Sequence, residues 1–121
     1  MNKLEYIPGD LVYIHGSFRI INNCDRYYAT YYDEDETLQE VNVNIIEGIP
    51  LTPEILEKNG WKKPDGFDSY WLNKIGLLQE GNTWHSALGS TKIAITLGNI
   101  QYVHQLQHFF FGLGLNHEME V

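Results

Sequence analysis

Ile49-Pro50-Leu51-Thr52-Pro53-Glu54-Ile55-Leu56-Glu57-Lys58-Asn59-Gly60-Trp61 encodes one short helix together with its start and stop signals. The Thr52 hydroxyl can accept a bond from a free backbone N–H and so serves as an N-cap. Pro53 suits the first helical position, where a missing N–H costs nothing. Glu54 falls in the first turn and Lys58 in the last, each matched to the helix dipole. Asn59-Gly60 supplies a left-handed stop. The spacing predicts a helix over 53–59. The chain on either side reads largely as strand, so this helix divides it into two halves.

Before the helix, Leu11-Val12-Tyr13-Ile14-His15 opens after Gly9-Asp10 as a short strand and ends at Gly16-Ser17. Phe18 to Ile21 is a second strand, closed by the turn pair Asn22-Asn23. Arg26 to Tyr32 is rich in tyrosine and predicts a third. A period of two sets Tyr27 and Tyr31 on one face and Tyr28 and Tyr32 on the other. Asp33-Glu34-Asp35-Glu36 reads as a solvated hairpin tip. Val41-Asn42-Val43-Asn44-Ile45 then alternates as a half-buried strand with its asparagines toward water. Four short strands with tight connections predict a curled antiparallel sheet, an SH3-like sheet or partial barrel.

After the helix, Pro64-Asp65-Gly66 marks a turn. Strands are predicted over 67–72, 75–79 and 83–88. A fourth, Lys92 to Leu97, sets Ile93, Ile95 and Leu97 on one face, making a β-meander. Gly89-Ser90-Thr91-Lys92 is read as its hairpin turn, because a phosphate loop needs a different order of residues and a following helix. Asn99 is a candidate N-cap for the closing helix. There Tyr102, Val103, Leu106, Phe109, Phe110 and Leu113 recur at spacings of three and four as one apolar stripe. Gln101, Gln105 and His108 lie opposite, and Gly112 and Gly114 end the helix. Phe111 projects off the stripe, beside His104, toward a neighbouring loop or a partner subunit. The whole reads as a single compact α+β domain over 1–121, with 1–50 and 51–121 as the division if there are two subdomains.

The 121 residues carry a net charge of -8, unevenly placed. Residues 1–60 hold 4 basic side chains against 11 acidic ones, and residues 61–121 hold 4 against 5. Nucleic-acid backbones are bound by clustered Lys and Arg, and here only Lys62-Lys63 are adjacent, so direct nucleic-acid binding is not expected. Cys24 is alone, which leaves no internal disulfide and no cysteine-based zinc site. Neither a signal peptide nor a run of ~20 apolar residues is present. The expectation is a soluble cytoplasmic protein with no membrane partner.

The groups that look reactive are dispersed. His104 and His108 are four apart on one helical flank, a spacing that can serve a metal, but two ligands do not make a site. His104-Gln105-Leu106-Gln107-His108 also lacks the glutamate of a zinc-protease helix. Both are expected as partly exposed helix histidines. His85 and Ser86 are neighbours on a strand and point to opposite faces, which disfavours a nucleophile–base pair. Asp33 and Asp35 lack the glycine and terminal glutamate of a calcium loop. No catalytic residue, metal or cofactor is expected. The 16 aromatic residues are more informative, because Tyr and Trp keep a polar tip and are enriched at interfaces. Tyr27, Tyr28, Tyr31, Tyr32, His104, His108 and Phe111 form the expected interaction surface.

Two blocks carry a resemblance. Ile49 to Trp61, quoted above, and Ile100-Gln101-Tyr102-Val103-His104-Gln105-Leu106-Gln107-His108 together resemble a family of small uncharacterised proteins from phages and prophages of gut anaerobes. Gly9-Asp10-Leu11-Val12 fits the opening strand of that family. Trp61 stands where the family has Phe, and His108 where it has Asn. The resemblance implies a phage or mobile-element origin, hence a bacterial host cytoplasm, and carries over no catalytic residue. The leading expectation is a non-enzymatic interaction protein, structural or accessory, that binds a protein partner or itself as a homo-oligomer. An oligomeric binder of a nucleotide-type small ligand is the alternative. An enzyme using His85, His104 or a carboxylate is the third.

Overall fold

The computed structural model describes residues 6–89 and 94–121; for 94–97 the backbone alone is described. The architecture is α+β. Strands β1 (Leu11–Ile14) and β2 (Ser17–Ile20) form a two-stranded antiparallel sheet. Their two-residue connection, His15-Gly16, has φ of 51° and 78°, the pattern of the hairpin turn that matches strand twist. Strands β3 (Asn23–Cys24), β4 (Tyr28–Tyr32) and β5 (Leu38–Asn42) form a three-stranded sheet. β5 begins and ends three residues earlier than its alternation suggests, and it stops at Asn42 because Val43–Ile45 winds into a 3-10 turn. Asn42 causes this: its side chain accepts the Asn44 N–H at 2.9 Å, capping the turn and stopping the strand.

Helix α1 (Pro53–Lys58) follows as its sequence dictates. Thr52 Oγ1 accepts the Ile55 N–H at 3.2 Å, and Gly60 takes φ +89° beyond the C-cap Asn59. It buries Leu56 completely, a burial worth about 2 kcal/mol. The second half is the meander β6 (Ser69–Leu72), β7 (Ile75–Glu80), β8 (Thr83–Gly89) and β9 (Ala94–Ile100), paired in that order. The hairpin turn expected over 89–92 and the side chains of Ile93, Ile95 and Leu97 lie outside the described residues, apart from Gly89.

β9 runs past Asn99, whose side-chain chemistry suits a helix cap. Ladder pairing of Ile100 with Trp84 and of Asn99 with His85 keeps this stretch extended. Helix α2 therefore begins at Val103 and runs to Gly112. Gln105 closes its start, with Oε1 accepting the N–H groups of Gln101 and Tyr102 at 2.8 and 3.0 Å.

Two apolar clusters meet at β1. Leu11 joins Ile49, Leu51, Leu56, Trp61, Ile75, Leu77, Trp84, Ile100, Val103, Leu106 and Phe110. Val12 and Ile14 join Tyr6, Ile21, Ala29, Tyr31 and Ile46. The two-residue period of a strand sends successive side chains into different clusters, so one strand ties both halves of the chain together. Trp84, fully buried, donates its indole N–H to the Leu51 carbonyl at 2.9 Å and fixes the meander to the segment before α1.

Candidate interaction surface

Strand β4 has one dry face and one wet face. Ala29 and Tyr31 point into the smaller core, while Tyr28 and Tyr32 are 48% and 56% exposed on the outer side. Register with β5 sets Tyr32 opposite Leu38 and Tyr28 opposite Asn42, so Tyr28, Tyr32 and Leu38 share one exposed face. Cross-strand neighbours of this kind are normally satisfied by burial or by a partner.

The acidic connection between β4 and β5 is built rather than loose. Asp33 Oδ1 accepts the N–H groups of Asp35 and Thr37, both at 2.9 Å, and Oδ2 accepts from Gln39 Nε2 at 2.9 Å. The backbone bond to Thr37, followed by that to Gln39, holds the Asp33 carboxyl below the ordinary aspartate range. Glu34 receives Arg19 Nη2 at 2.7 Å. Glu36 takes φ +60°, the residue in this turn that adopts the left-handed conformation. The tip is therefore a fixed, ionised ridge.

Beside it lies a cleft of roughly 590 Å³ lined by Pro8, Gly9, Arg19, Ile21, Asn22, Tyr32 and the exposed Phe18 and Ile20. Phe18 is held from behind by stacking on Tyr13, ring centres 4.6 Å apart. The Arg19 guanidinium sits 5.2 Å over the Tyr31 ring while it pairs with Glu34. The cleft thus has apolar walls and one ion-paired cation, with the acidic turn following Tyr32.

Of the residues proposed from sequence, Tyr28 and Tyr32 belong to this face. Tyr27 lies just before β4, exposed, and borders a separate hollow with Arg26, Asn42, Val43 and Asn44. Tyr31 is 8% exposed and His104 is 0% exposed, so neither can belong to a surface. Tyr31 is buried because the face it shares with Ala29 packs on Val12, Ile14 and Ile21, which leaves Tyr28, Thr30 and Tyr32 on the outward face. Phe111 is exposed on α2 with its ring edge-on to His117, centres 5.2 Å apart. Phe18, Ile20 and Leu38 were missed; the usable signal was the alternation of apolar with polar residues through Ser17–Ile20.

His104 belongs to a buried polar cluster where α2 meets β1, and His108, partly exposed as expected, lies at its edge. The helix turns further toward β1 than its apolar stripe implies, burying His104 and Gln107 along with Val103, Leu106 and Phe110. Gln107 makes this possible. Its Oε1 accepts the Leu11 N–H at 2.8 Å, and its Nε2 donates to the carbonyls of Gly9 and His117, both at 3.0 Å. Asp10, wholly buried, places Oδ2 2.9 Å from the Ile7 N–H and 2.7 Å from His108 Nε2. Burial raises the Asp10 carboxyl above its usual range, opposed by the Ile7 N–H and by His108. Burial also depresses His104 to about 4, with the neighbouring His108 adding to it, so His104 is neutral. It stacks on Tyr102, ring centres 5.7 Å apart, and packs against the tilted ring of Tyr6 at 4.9 Å.

A histidine backed by a buried carboxylate is the arrangement of a general base. His108 Nε2 meets the Asp10 carboxyl at 2.7 Å, and no hydroxyl or thiol among the described residues is hydrogen-bonded to the ring. Among the described residues no three His, Cys, Asp or Glu side chains gather as a metal-holding group. No helix among them is long and apolar enough to cross a membrane. The geometry of this cluster is that of a joint between helix and strand.

No protein-family model matches the chain, and neither the curated proteins nor the solved structures provide a match.

Proposed function

We propose that this protein is a non-enzymatic interaction module, encoded by a phage or mobile element and acting in the bacterial cytoplasm, whose β2–β4 face holds a protein partner. The observation that carries the reading is the adjacency of exposed Phe18, Ile20 and Tyr32 around one cleft, with Leu38 beside them and an ordered acidic ridge at its edge. Patches of this composition mark interaction sites. The phage origin rests on the resemblance of the Ile49–Trp61 and Ile100–His108 blocks. The two small sheets around a shared core are compatible with an SH3-like partial barrel, a scaffold suited to presenting such a face.

Photocrosslinking from position 38 in host cells tests the reading. The expected result is a discrete protein adduct that disappears when Ile20→Glu and Tyr32→Ala are introduced, both at exposed positions that leave the cores intact. An adduct at twice the chain mass identifies a second copy as the partner. Absence of any adduct, or adducts indifferent to the substitutions, overturns it.

A further inference from the structure

The geometry points to strand addition as the mode of binding: β2 offers its open edge to an extended segment of a partner in which apolar residues alternate with Lys or Arg. This rests on the β2–β4 face being the interaction surface and goes further, in naming the backbone as the main contact and the partner's charge.

The hydrogen-bond pattern at Ile21 fixes which edge is open. The Ile21 N–H donates to the Asp10 carbonyl at 2.9 Å, and its carbonyl accepts the Gly9 N–H at 2.7 Å. Antiparallel pairing alternates bonded and non-bonded pairs along a strand. Register from Leu11–Ile20 to Ile14–Ser17 then turns the backbone groups of Arg19 and Ser17 toward β1, and those of Ile20 and Phe18 away from it. The same alternation holds one residue on, where the Asn22 N–H faces the other way and reaches the Thr30 carbonyl of β4 at 2.8 Å.

Beyond that bond no backbone bond joins β2 to β4 among the described residues. Instead the cleft opens between Ile20 and Tyr32. Arg19 spans from β2 to Glu34, where strand pairing would otherwise continue. Among the described residues the outward N–H and C=O groups of Phe18 and Ile20 have no backbone partner, and such a row beside a cleft is a template for another strand.

The occupant's character follows from the walls. Phe18 and Ile20 are both exposed, so a strand laid beside β2 would cover them with apolar side chains. Tyr32 of the cleft wall leads directly into the acidic turn 33–36, while Arg19, the cation in the cleft wall, is engaged by Glu34 of that turn. Charge complementarity therefore favours a cationic segment over an acidic one.

The test uses a labelled peptide of about ten residues alternating Val and Lys, a Val–Glu counterpart, and a Val–Lys peptide N-methylated at every second residue. Fluorescence anisotropy measures binding, and amide exchange by NMR follows Phe18 and Ile20 in the intact protein. The Val–Lys peptide should bind at least about tenfold more tightly than the other two, weaken with salt, and slow exchange at Phe18 and Ile20. Asp35→Asn with Glu36→Asn, changes confined to the exposed tip, should weaken it without unfolding the chain. Equal binding of methylated and unmethylated peptides, preference for Val–Glu, or unprotected Phe18 and Ile20 amides would each overturn strand addition. Absence of binding by all three peptides overturns it too. The wider reading fails only if the crosslinked adduct is also absent or indifferent to Ile20→Glu and Tyr32→Ala.

Discussion

Acidifying this protein should weaken it through His104, and the size of the effect can be worked out from where that ring lies. His104 is 0% exposed, packed between Tyr6 and Tyr102 with His108 edge-on at 5.6 Å. In the unfolded chain its imidazole takes up a proton near its ordinary value of 6.5; in the fold, burial and then His108 hold it off until about 4. Between those two values the unfolded state binds more protons than the folded one. Stability therefore rises with pH across this window and is lost as pH falls from 6.5 toward 4. One pKa unit corresponds to about 1.4 kcal/mol, so the whole gap corresponds to about 3 kcal/mol, of which about 2 kcal/mol is lost by about pH 4.5.

Asp10 works in the opposite direction. Its carboxyl is raised by burial, so the fold keeps that proton to higher pH than the unfolded chain does. This contribution favours the folded state at the acid end and fades as pH rises. The stability curve of the native sequence thus mixes two slopes of opposite sign. Comparison with His104→Gln isolates the histidine, because glutamine is neutral throughout. Urea unfolding followed by the fluorescence of buried Trp61 and Trp84 at a series of pH values gives both curves. The variant should be the weaker protein at neutral pH, and the difference should shrink by about 2 kcal/mol on acidification to about pH 4.5. A difference constant within about 0.5 kcal/mol, an error typical of such extrapolations, would refute the burial argument.

Three further outcomes follow from single contacts. Gln107→Leu removes the partner of the Leu11 N–H and of the Gly9 and His117 carbonyls. It should cost about 3 kcal/mol in urea unfolding, because buried backbone groups lose their bonds. Asn59→Ala frees the chain end, since the Asn59 amide both donates to the Glu120 carbonyl at 2.7 Å and accepts its N–H at 2.9 Å. Exchange of the Glu120 amide should accelerate, with a stability loss of about 1 kcal/mol. Gly76→Ala places a methyl 2.7 Å from the Trp71 ring. That clash should displace the indole from Ser69 Oγ, its acceptor at 2.7 Å, shift the tryptophan emission and cost about 1–3 kcal/mol.

The parts of this molecule legible in its sequence are those decided by neighbours along the chain. Helix α1 is readable because Thr52, Pro53 and Gly60 each act within a turn of where they stand, and the meander because Asn73-Lys74 and Gly81-Asn82 lie at its hairpin turns. Readings failed where a distant group decided. Asn99 has the chemistry of a cap, yet pairing with His85 on β8 holds it in a strand. His104 has the look of a surface residue on a helix, yet Gln107 satisfies backbone groups of β1 and the tail and so allows that flank to be buried. The interaction face divides in the same way. The acidic tip and the tyrosines are evident in the chain, while the partnership of Ile20 with Tyr32 depends on two strands that approach and then part. Alternation along a strand says which side chains share a face, but only three-dimensional pairing says which backbone edge is left open. An open edge consists of the hydrogen bonds a strand does not make, and no pattern of side chains records those.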